Sequence, residues 1–400
     1  MPIISSSAGT SPRLEPMPRI RAALAALPLA SLVLGGASGC SIDLPDPRLI
    51  ISHRVLAIRT AVTTPLVPED AELADQPKAQ ALPFETVTLE PFIVDESGAV
   101  DPDELDIVWI ACELSISQSL FACIQDAMPL TLDALPACEA PSLADLQSLE
   151  DGLPELPSPC LIAREGSPEY VAPLSANVLL SGAVELTMIA GVPEGTDTDT
   201  CARELLAGEY DLPDDCLYAV QRLEVGPIEQ LLVLAESFGA AIPGFEAPDP
   251  EDVPEADRNP RITEVRVGAI NDQGQQIGNA QIVSAGDLVE VELGATLQVE
   301  VDSPEEDLQT YQVAVNNGES YEDRQETYEG DWYVTWGELL AGTSDDPQSY
   351  NQWTLEPNDQ DEEDTPPEGR ARMYYVVRDG RQGVNWFWFE IAAVDPEQGE

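Results

Sequence analysis

Apolar and polar residues alternate in short runs along most of the chain, and a repeat of two residues predicts β-strands. In the first half, these runs are separated by segments rich in proline, glycine and acidic residues. Pro91 lies inside the second run, which predicts an edge position or a bulge for that strand, because proline cannot donate a hydrogen bond to a neighbouring strand. The predicted strands span residues 49–62, 85–94, 107–112, 184–190 and 217–225.

Residues 113–177 interrupt this pattern. The segment contains many prolines and only short apolar runs, so we expect a long insertion, with short helices near Leu120 and Leu146. Apolar residues return at helical spacing in 228–238, which predicts a helix there. Short strands joined by turns, without long helices, are typical of a β-sandwich.

A domain boundary is predicted at residues 243–260, which contain five prolines and six acidic residues. Such a composition favours an extended, semi-rigid spacer. The chain therefore divides into a first domain at 49–242 and a second domain at 261–400. Because of the spacer, we expect the second domain to fold alone.

The second domain also consists of strand-like runs, and it ends in the clearest hairpin of the chain. Two runs rich in β-branched and aromatic residues, 372–377 and 384–392, flank a glycine-containing turn at 379–383. The predicted fold class is therefore mainly β, with two β-sandwich domains, the first of which carries the insertion.

The N-terminus resembles the signal peptide of a bacterial lipoprotein. Three arginines precede an uncharged stretch at 22–34, which is too short to span a bilayer. Met17 begins a compact signal peptide by itself and is a candidate start of translation. The arginines are Arg13, Arg19 and Arg21.

Small residues at 35–39 then lead to Cys40, as in a lipobox, although Ala37 stands where leucine is commoner. This resemblance implies cleavage before Cys40 and attachment of lipid to its thiol, followed by a tether at 40–48. Two or more acyl chains give stable membrane attachment. Ser41 follows the cysteine, and the resemblance then implies the outer membrane of the cell envelope rather than the inner one. An incidental cysteine after an ordinary secretory signal is the alternative.

Six further cysteines lie between residues 112 and 216. An even number of cysteines in an oxidising compartment predicts disulfides, here three, that would staple the first domain and its insertion. We favour Cys201–Cys216, because the intervening loop is short and polar. Zinc is poorly supported, since the chain has no C-x-x-C motif and a single histidine. The six are Cys112, Cys123, Cys138, Cys160, Cys201 and Cys216.

The charge balance restricts the partners. The chain has 74 acidic and 18 basic residues, for a net charge of −56. Such a polyanion repels the phosphates of nucleic acids, so we expect no nucleic-acid partner. Salt or bound divalent cations would relieve its self-repulsion.

The second domain is similar to bacterial immunoglobulin-like and PKD-like modules, which carry a tryptophan and a glycine on a middle strand and end in a hairpin around Asp-Gly-x-x-Gly. The first domain matches more loosely and has no cysteine on the strand before Trp109. As a whole, the chain looks like uncharacterised envelope lipoproteins of that type. The resemblance implies immunoglobulin-like sandwiches that serve as spacers or binding units. The matching residues are Trp336, Gly337, Asp379, Gly380 and Gly383.

Two sets of residues are candidate binding sites. An acidic loop could hold calcium, which prefers oxygen ligands, although it lacks the glycine of an EF-hand and is more simply a solvated loop. Trp386 and Trp388 share one face of a strand and could form a platform for sugar rings, or could be covered by an interdomain contact. The acidic residues of the loop are Asp359, Asp361, Glu363 and Asp364.

The sequence therefore favours a non-catalytic envelope lipoprotein that acts as a structural or protein-binding module. The alternative is a carbohydrate-binding or calcium-dependent adhesion module. An enzyme is the least favoured class, because His53 is the sole histidine and no nucleophile motif accompanies it. Apart from calcium, no cofactor is predicted, and the expected partners are the membrane and an unidentified protein or polysaccharide.

Overall fold

A computed structural model describes residues 46–67, 73, 76–114, 131–141, 153–208, 212–237, 247–249, 252–315, 320–345, 348–357 and 365–394. Residues 45–400 cluster as one compact unit. Strands dominate the described residues, and the predicted mainly β fold is confirmed.

Eight strands in two sheets form the first sandwich. Sheet A has the order β1-β2-β3, with β6 also paired to β2, and sheet B has the order β5-β4-β7-β8. The strands are β1 (Arg54–Thr64), β2 (Thr86–Asp95), β3 (Gly98–Val100), β4 (Ile107–Glu113), β5 (Cys160–Arg164), β6 (Glu169–Val171), β7 (Ala183–Gly191) and β8 (Cys216–Glu224).

The core of the first sandwich lies between sheets A and B, around Trp109, whose side chain is fully buried. β4 and β7 are buried on both faces, because the second face of sheet B is also covered. A helix, α2 (Thr198–Leu206), packs on that outer face and is capped by Asp197. The polar loop predicted between Cys201 and Cys216 therefore contains a helix that the sequence analysis missed.

Pro91 does not lie on an edge strand, since β2 is central in sheet A. It falls between the stretch of β2 that pairs with β6 and the stretch that pairs with β3. Its missing N–H therefore lies where no strand pairs on that side of β2, which is how the sheet tolerates a proline.

The segment predicted as an insertion is, in its described part, a component of the sandwich. β5 pairs with β4, and β6 pairs with β2, so the segment adds one strand to each sheet. These strands are too short for an alternating pattern to reveal them. The helices predicted near Leu120 and Leu146 lie outside the described residues.

The described residues of the first half contain two other α-helices, α1 (Ala176–Ser181) and α3 (Ile228–Ser237). The second of these confirms the helix predicted at 228–238. No helix among the described residues is both long and apolar enough to cross a membrane.

Disulfides staple the first sandwich, as predicted. Cys138 pairs with Cys160, Cys201 pairs with Cys216, and Cys112 is also disulfide-bonded. The second of these is the pair that the sequence favoured. Cys123 lies outside the described residues.

Replacing both Cys201 and Cys216 by serine is expected to lower the free energy of unfolding by about 3 kcal/mol, because the bond closes a loop of 15 residues. Urea denaturation of the double variant and the parent under oxidising conditions measures this loss. Reductant should bring the parent close to the variant or below it. A double variant as stable as the parent would contradict a stabilising role.

The second sandwich has two five-stranded sheets and a separate hairpin, β13–β14. Sheet C has the order β11-β20-β19-β15-β17, and sheet D has the order β10-β9-β12-β18-β16. The strands are β9 (Glu264–Ile270), β10 (Gln276–Ile282), β11 (Leu288–Glu292), β12 (Thr296–Asp302), β13 (Thr310–Val315), β14 (Ser320–Gln325), β15 (Glu329–Val334), β16 (Glu338–Leu339), β17 (Thr343–Ser344), β18 (Gln348–Thr354), β19 (Arg370–Arg378) and β20 (Val384–Val394).

Aromatic side chains fill the core between sheets C and D. Trp353 of sheet D meets Phe389 of sheet C edge to face, with ring centroids 6.2 Å apart. The hydroxyl of Tyr375 bonds to Oγ of Ser349 across the core, at 2.9 Å. The hairpin predicted at the C-terminal end is present as β19 and β20.

Sheet A of the first sandwich packs on sheet C of the second, so the two sandwiches share a third apolar layer. We call this layer the inter-sandwich layer; its buried members are Ile50, Leu56, Ala57, Phe92, Val94, Tyr374, Val376 and Val384. Polar contacts border it, such as the hydroxyl of Tyr374, which donates to the carbonyl of Asp95 at 2.8 Å. β19 is consequently buried on both faces, which explains its nearly continuous apolar run.

The second half of the predicted spacer is not an exposed connector. Asp257 and Asn259 are buried, and Nδ2 of Asn259 donates to the carbonyl of Thr60, at 2.8 Å, while its Oδ1 accepts from the amide of Val384, at 3.0 Å. Its acidic, proline-rich composition predicted an extended, semi-rigid spacer, but the side chain of Asn259 satisfies backbone groups of both sandwiches. The division into two domains and the independent folding of 261–400 stay predictions.

Candidate functional site

The turn between β19 and β20 reaches the border of the inter-sandwich layer, where three chain segments meet. The amide of Gln382, in this turn, donates to Oδ2 of Asp257, at 3.2 Å. The amide of Thr327, just after β14, donates to the carbonyl of Asp379, at 3.3 Å. The turn therefore brings together residues that are far apart in the sequence.

Three carboxylates lie at this meeting point, and we call them the carboxylate cluster. Asp257, Glu326 and Asp379 are only 0%, 3% and 2% exposed, respectively. One oxygen from each lies within 4.8 Å of the others. Buried carboxylates are unusual unless they are paired, and three together require compensation.

Each carboxylate of the cluster accepts a hydrogen bond from a backbone amide. Oδ2 of Asp257 accepts from Gln382, Oδ1 of Asp379 accepts from Arg381 at 2.9 Å, and Oε2 of Glu326 accepts from Gln309 at 2.7 Å. The second oxygen of two of these carboxylates has no such hydrogen bond. Oδ1 of Asp257 and Oδ2 of Asp379 are buried and accept no hydrogen bond.

Arg381 supplies positive charge to the cluster. Its Nη1 donates to Oε1 of Glu326 at 3.1 Å and lies 3.6 Å from Oδ1 of Asp257, beyond hydrogen-bonding distance. Its Nη2 donates to Gln80 of the first sandwich at 3.2 Å and lies 3.7 Å from the partly exposed Glu224. One guanidinium therefore interacts with several carboxylates at once.

Burial dominates the electrostatics of the cluster. It raises the pKa of Asp379 to about 9, helped by the negative charge of Asp257. It raises the pKa of Asp257 to about 6, although Arg381 opposes the shift. The pKa of Glu326 is raised for the same reason. Three charged carboxylates are therefore unfavourable here without further compensation.

Gly383 gives the turn its close packing. A Cβ at this position would collide with Oδ2 of Asp379 and lie 2.5 Å from the carbonyl oxygen of Arg258. Gly380 has a φ of +81°, a conformation that favours glycine. The close packing of the cluster thus requires glycine at position 383, and the backbone of the turn favours glycine at position 380.

This arrangement suits ions better than substrates. Carboxylate oxygens are the ligands that hard cations such as Ca²⁺ and Mg²⁺ prefer, and they can equally share protons. At 0–3% exposure, the three carboxylates are closed to a substrate in this conformation. We therefore treat the cluster as a candidate ion site.

The predicted sugar platform is not available at Trp386. Its ring stacks on Phe92, with centroids 5.0 Å apart and planes within 4°, and the guanidinium of Arg59 lies 4.6 Å from its centroid. Trp388 is half-buried beside the inter-sandwich layer. The contact between the sandwiches, which the sequence left open as an alternative, covers the Trp386 ring.

Other predicted site residues lie outside the described part of the chain. These are the lipidation site, Cys40, and the acidic loop of Asp359, Asp361, Glu363 and Asp364. Trp336, assigned by resemblance to a middle strand, follows β15 and is buried in the core of the second sandwich.

Asp257, Glu326 and Arg381 were not predicted as site residues from the sequence. Asp257 lies in an acidic stretch that resembled a spacer, and Glu326 is one of 74 acidic residues. The available signal was the turn at 379–383, where an aspartate, an arginine and two glycines are combined between two apolar strands.

No protein-family model and no curated protein matches the chain. Dimeric latent PorU from Porphyromonas gingivalis is 14% identical over 86% of this chain and 24% of that chain, with a TM-score of 0.17. This chain therefore spans about a quarter of the PorU chain. The D0-D1 domain of intimin is 9% identical over 84% of this chain and 98% of that chain, also with a TM-score of 0.17. Similarities this weak establish neither a shared fold nor a shared function.

Proposed function

We propose that the protein is a non-catalytic lipoprotein of the bacterial envelope, held to the outer membrane by lipid on Cys40, and that its two packed sandwiches act as a structural or protein-binding module. The observation that carries the module role is the inter-sandwich layer. It joins the sandwiches through apolar side chains and through hydrogen bonds such as that of Tyr374 to Asp95. A stiff unit of this kind suits a spacer or a display surface better than a hinge.

The carbohydrate-binding alternative has less support. Flat aromatic faces are the usual platform for sugar rings, but Phe92 and Arg59 cover Trp386. The calcium-dependent alternative keeps a separate candidate site in the carboxylate cluster.

Changing Cys40 to alanine is expected to abolish lipid attachment. The reason is chemical, since the thiol is the acceptor in a lipobox and alanine offers no nucleophile. Metabolic labelling with a clickable fatty acid in the native host, followed by fractionation, checks both attachment and location. The parent should be labelled and sediment with outer membranes.

The matched control is Ser41→Ala, which keeps the cysteine and should still be labelled. Equal labelling of the Cys40→Ala variant would overturn the anchor. A parent protein that is labelled but fractionates with the inner membrane would overturn the outer-membrane assignment alone.

A further inference from the structure

We propose that Asp257, Glu326 and Asp379 bind one divalent cation of the calcium or magnesium class at the border of the inter-sandwich layer. The proposal does not depend on the function proposed above. It concerns residues that are distinct from the acidic loop at 359–364, where the sequence pattern had suggested calcium.

The first argument is charge balance. Three carboxylates against the single guanidinium of Arg381 leave two negative charges in a buried place, and a divalent cation neutralises them. Glu224, whose carboxylate lies 3.7 Å from Nη2 of Arg381, has a side chain that is 24% exposed and is therefore not counted with the three. Burying uncompensated charge is expensive, so an ion that neutralises the cluster should stabilise the fold.

The second argument is the state of individual oxygens. Backbone amides hold one oxygen each of Asp257 and Asp379, which fixes the orientation of both side chains. Their other oxygens, Oδ1 of Asp257 and Oδ2 of Asp379, are buried and accept no hydrogen bond. Buried acceptors without donors are rare and call for an explanation, and a bound cation provides one.

The third argument is ligand chemistry. Hard cations take oxygen ligands, and three carboxylates can supply three to six of them in monodentate or bidentate mode. Gln309, whose amide already bonds Glu326, has a buried Oε1 that also lacks a donor. The neighbourhood is therefore rich in oxygens and contains neither sulfur nor imidazole ligands among the described residues, which favours calcium or magnesium over zinc.

Protons are the competing explanation, because protonated carboxyls would also remove the charge. The two explanations predict opposite effects for Asp379→Asn, since asparagine is similar in shape to a protonated aspartic acid. A proton site tolerates asparagine and binds no metal there. A cation site loses a charged ligand and binds its metal more weakly.

The test uses the full mature chain after treatment with EDTA and dialysis. Calcium and magnesium are titrated separately by isothermal calorimetry, and melting temperatures are recorded with EDTA and with each metal. We expect one saturable site per chain for at least one metal, and a higher melting temperature when it is bound. In Asp379→Asn, the affinity of this site should fall by about tenfold or more, with loss of the melting shift.

Three further variants keep the outcome decisive. Glu326→Gln serves if Asp379→Asn does not fold. Asp272→Asn removes an exposed carboxylate and should leave the tight site unchanged. A loop variant, in which Asp359, Asp361 and Asp364 become asparagine and Glu363 becomes glutamine, should also retain the tight site.

Two results would overturn the proposal. One is an absence of any saturable metal site in the parent, with Asp379→Asn at least as stable as the parent in EDTA, which would mean that protons neutralise the cluster. The other is a tight site that survives in Asp379→Asn and disappears in the loop variant, which would place the cation in the loop.

Discussion

Replacing Arg381 by methionine is expected to lower the free energy of unfolding of the full chain by about 3–5 kcal/mol in EDTA at neutral pH. The Arg381 side chain is 9% exposed, and it donates to Glu326 and lies next to Asp257. Methionine fills a similar volume but leaves these two carboxylates buried without the positive charge of the guanidinium. Removing one partner of a buried ion pair costs far more than the pair itself contributes.

Urea denaturation followed by tryptophan fluorescence measures this loss. The matched control is Arg370→Met, since Arg370 pairs with Glu390 but its side chain is 47% exposed. Solvent screens such a pair, so the control should lose less than about 1 kcal/mol. Equal losses in both variants would show that Arg381 acts through general surface charge.

A second variant tests the reason for the loss. Adding Asp257→Asn to Arg381→Met removes one of the stranded charges, so part of the lost stability should return. The difference between the double variant and the sum of the single variants gives the coupling energy of the two residues. No recovery would mean that Arg381 stabilises the turn through packing, for example over the ring of Tyr311, whose centroid lies 4.9 Å away.

The regular part of the fold could be predicted from the sequence because its residues repeat with the period of a strand. β1, β4 and β8 lie where alternating or continuous apolar runs placed them. The short strands β5 and β6 could not be found this way, since three to five residues contain too little of a period. Their positions depend on the strands with which they pair.

The junction between the sandwiches could not be predicted, because the two sequence features that form it also occur in proteins without such a junction. The nearly continuous apolar run of β19 is typical of any strongly apolar strand, so it does not show that Tyr374 and Val376 pack against a second sandwich. Asp257 lies in a proline-rich acidic stretch whose composition is typical of an exposed spacer. Only tertiary structure shows that this stretch is buried against the turn at 379–383.

The candidate site was hidden for a related reason. Its three carboxylates come from a segment before β9, from the residue after β14 and from the turn before β20. In a chain with 74 acidic residues, no spacing distinguishes these three from the rest. A calcium site was predicted in the acidic loop at 359–364 because its acidic residues are adjacent in sequence. Residues that form a buried site are often far apart in sequence.

Replacing Phe92 by alanine is expected to destabilise both sandwiches together, by about 3–5 kcal/mol. Phe92 belongs to the first sandwich, is buried in the inter-sandwich layer, and stacks on Trp386 of the second. It also meets Tyr374 edge to face, with centroids 6.1 Å apart. Alanine would leave a cavity between sheets A and C rather than within either core.

Native-state hydrogen exchange separates this expectation from the behaviour of two independent domains. Amides of β4 report on the first sandwich and amides of β12 report on the second, and in a single cooperative unit both exchange through the same global opening. We therefore expect Phe92→Ala to lower the protection of β4 and β12 by similar free energies. The control Tyr350→Ala removes a side chain from a residue that is 57% exposed and should change neither by more than about 0.5 kcal/mol.

The result also decides how the predicted spacer at 243–260 is to be understood. If protection falls in β4 alone, the second sandwich is stable without its neighbour, and residues 261–400 form an independent domain, as the composition of the spacer suggested. If β4 and β12 lose protection together, the stability of each sandwich depends on the apolar face that the other covers. The buried contacts of Asn259 with Thr60 and Val384, together with the stacking of Phe92 on Trp386, favour the second outcome.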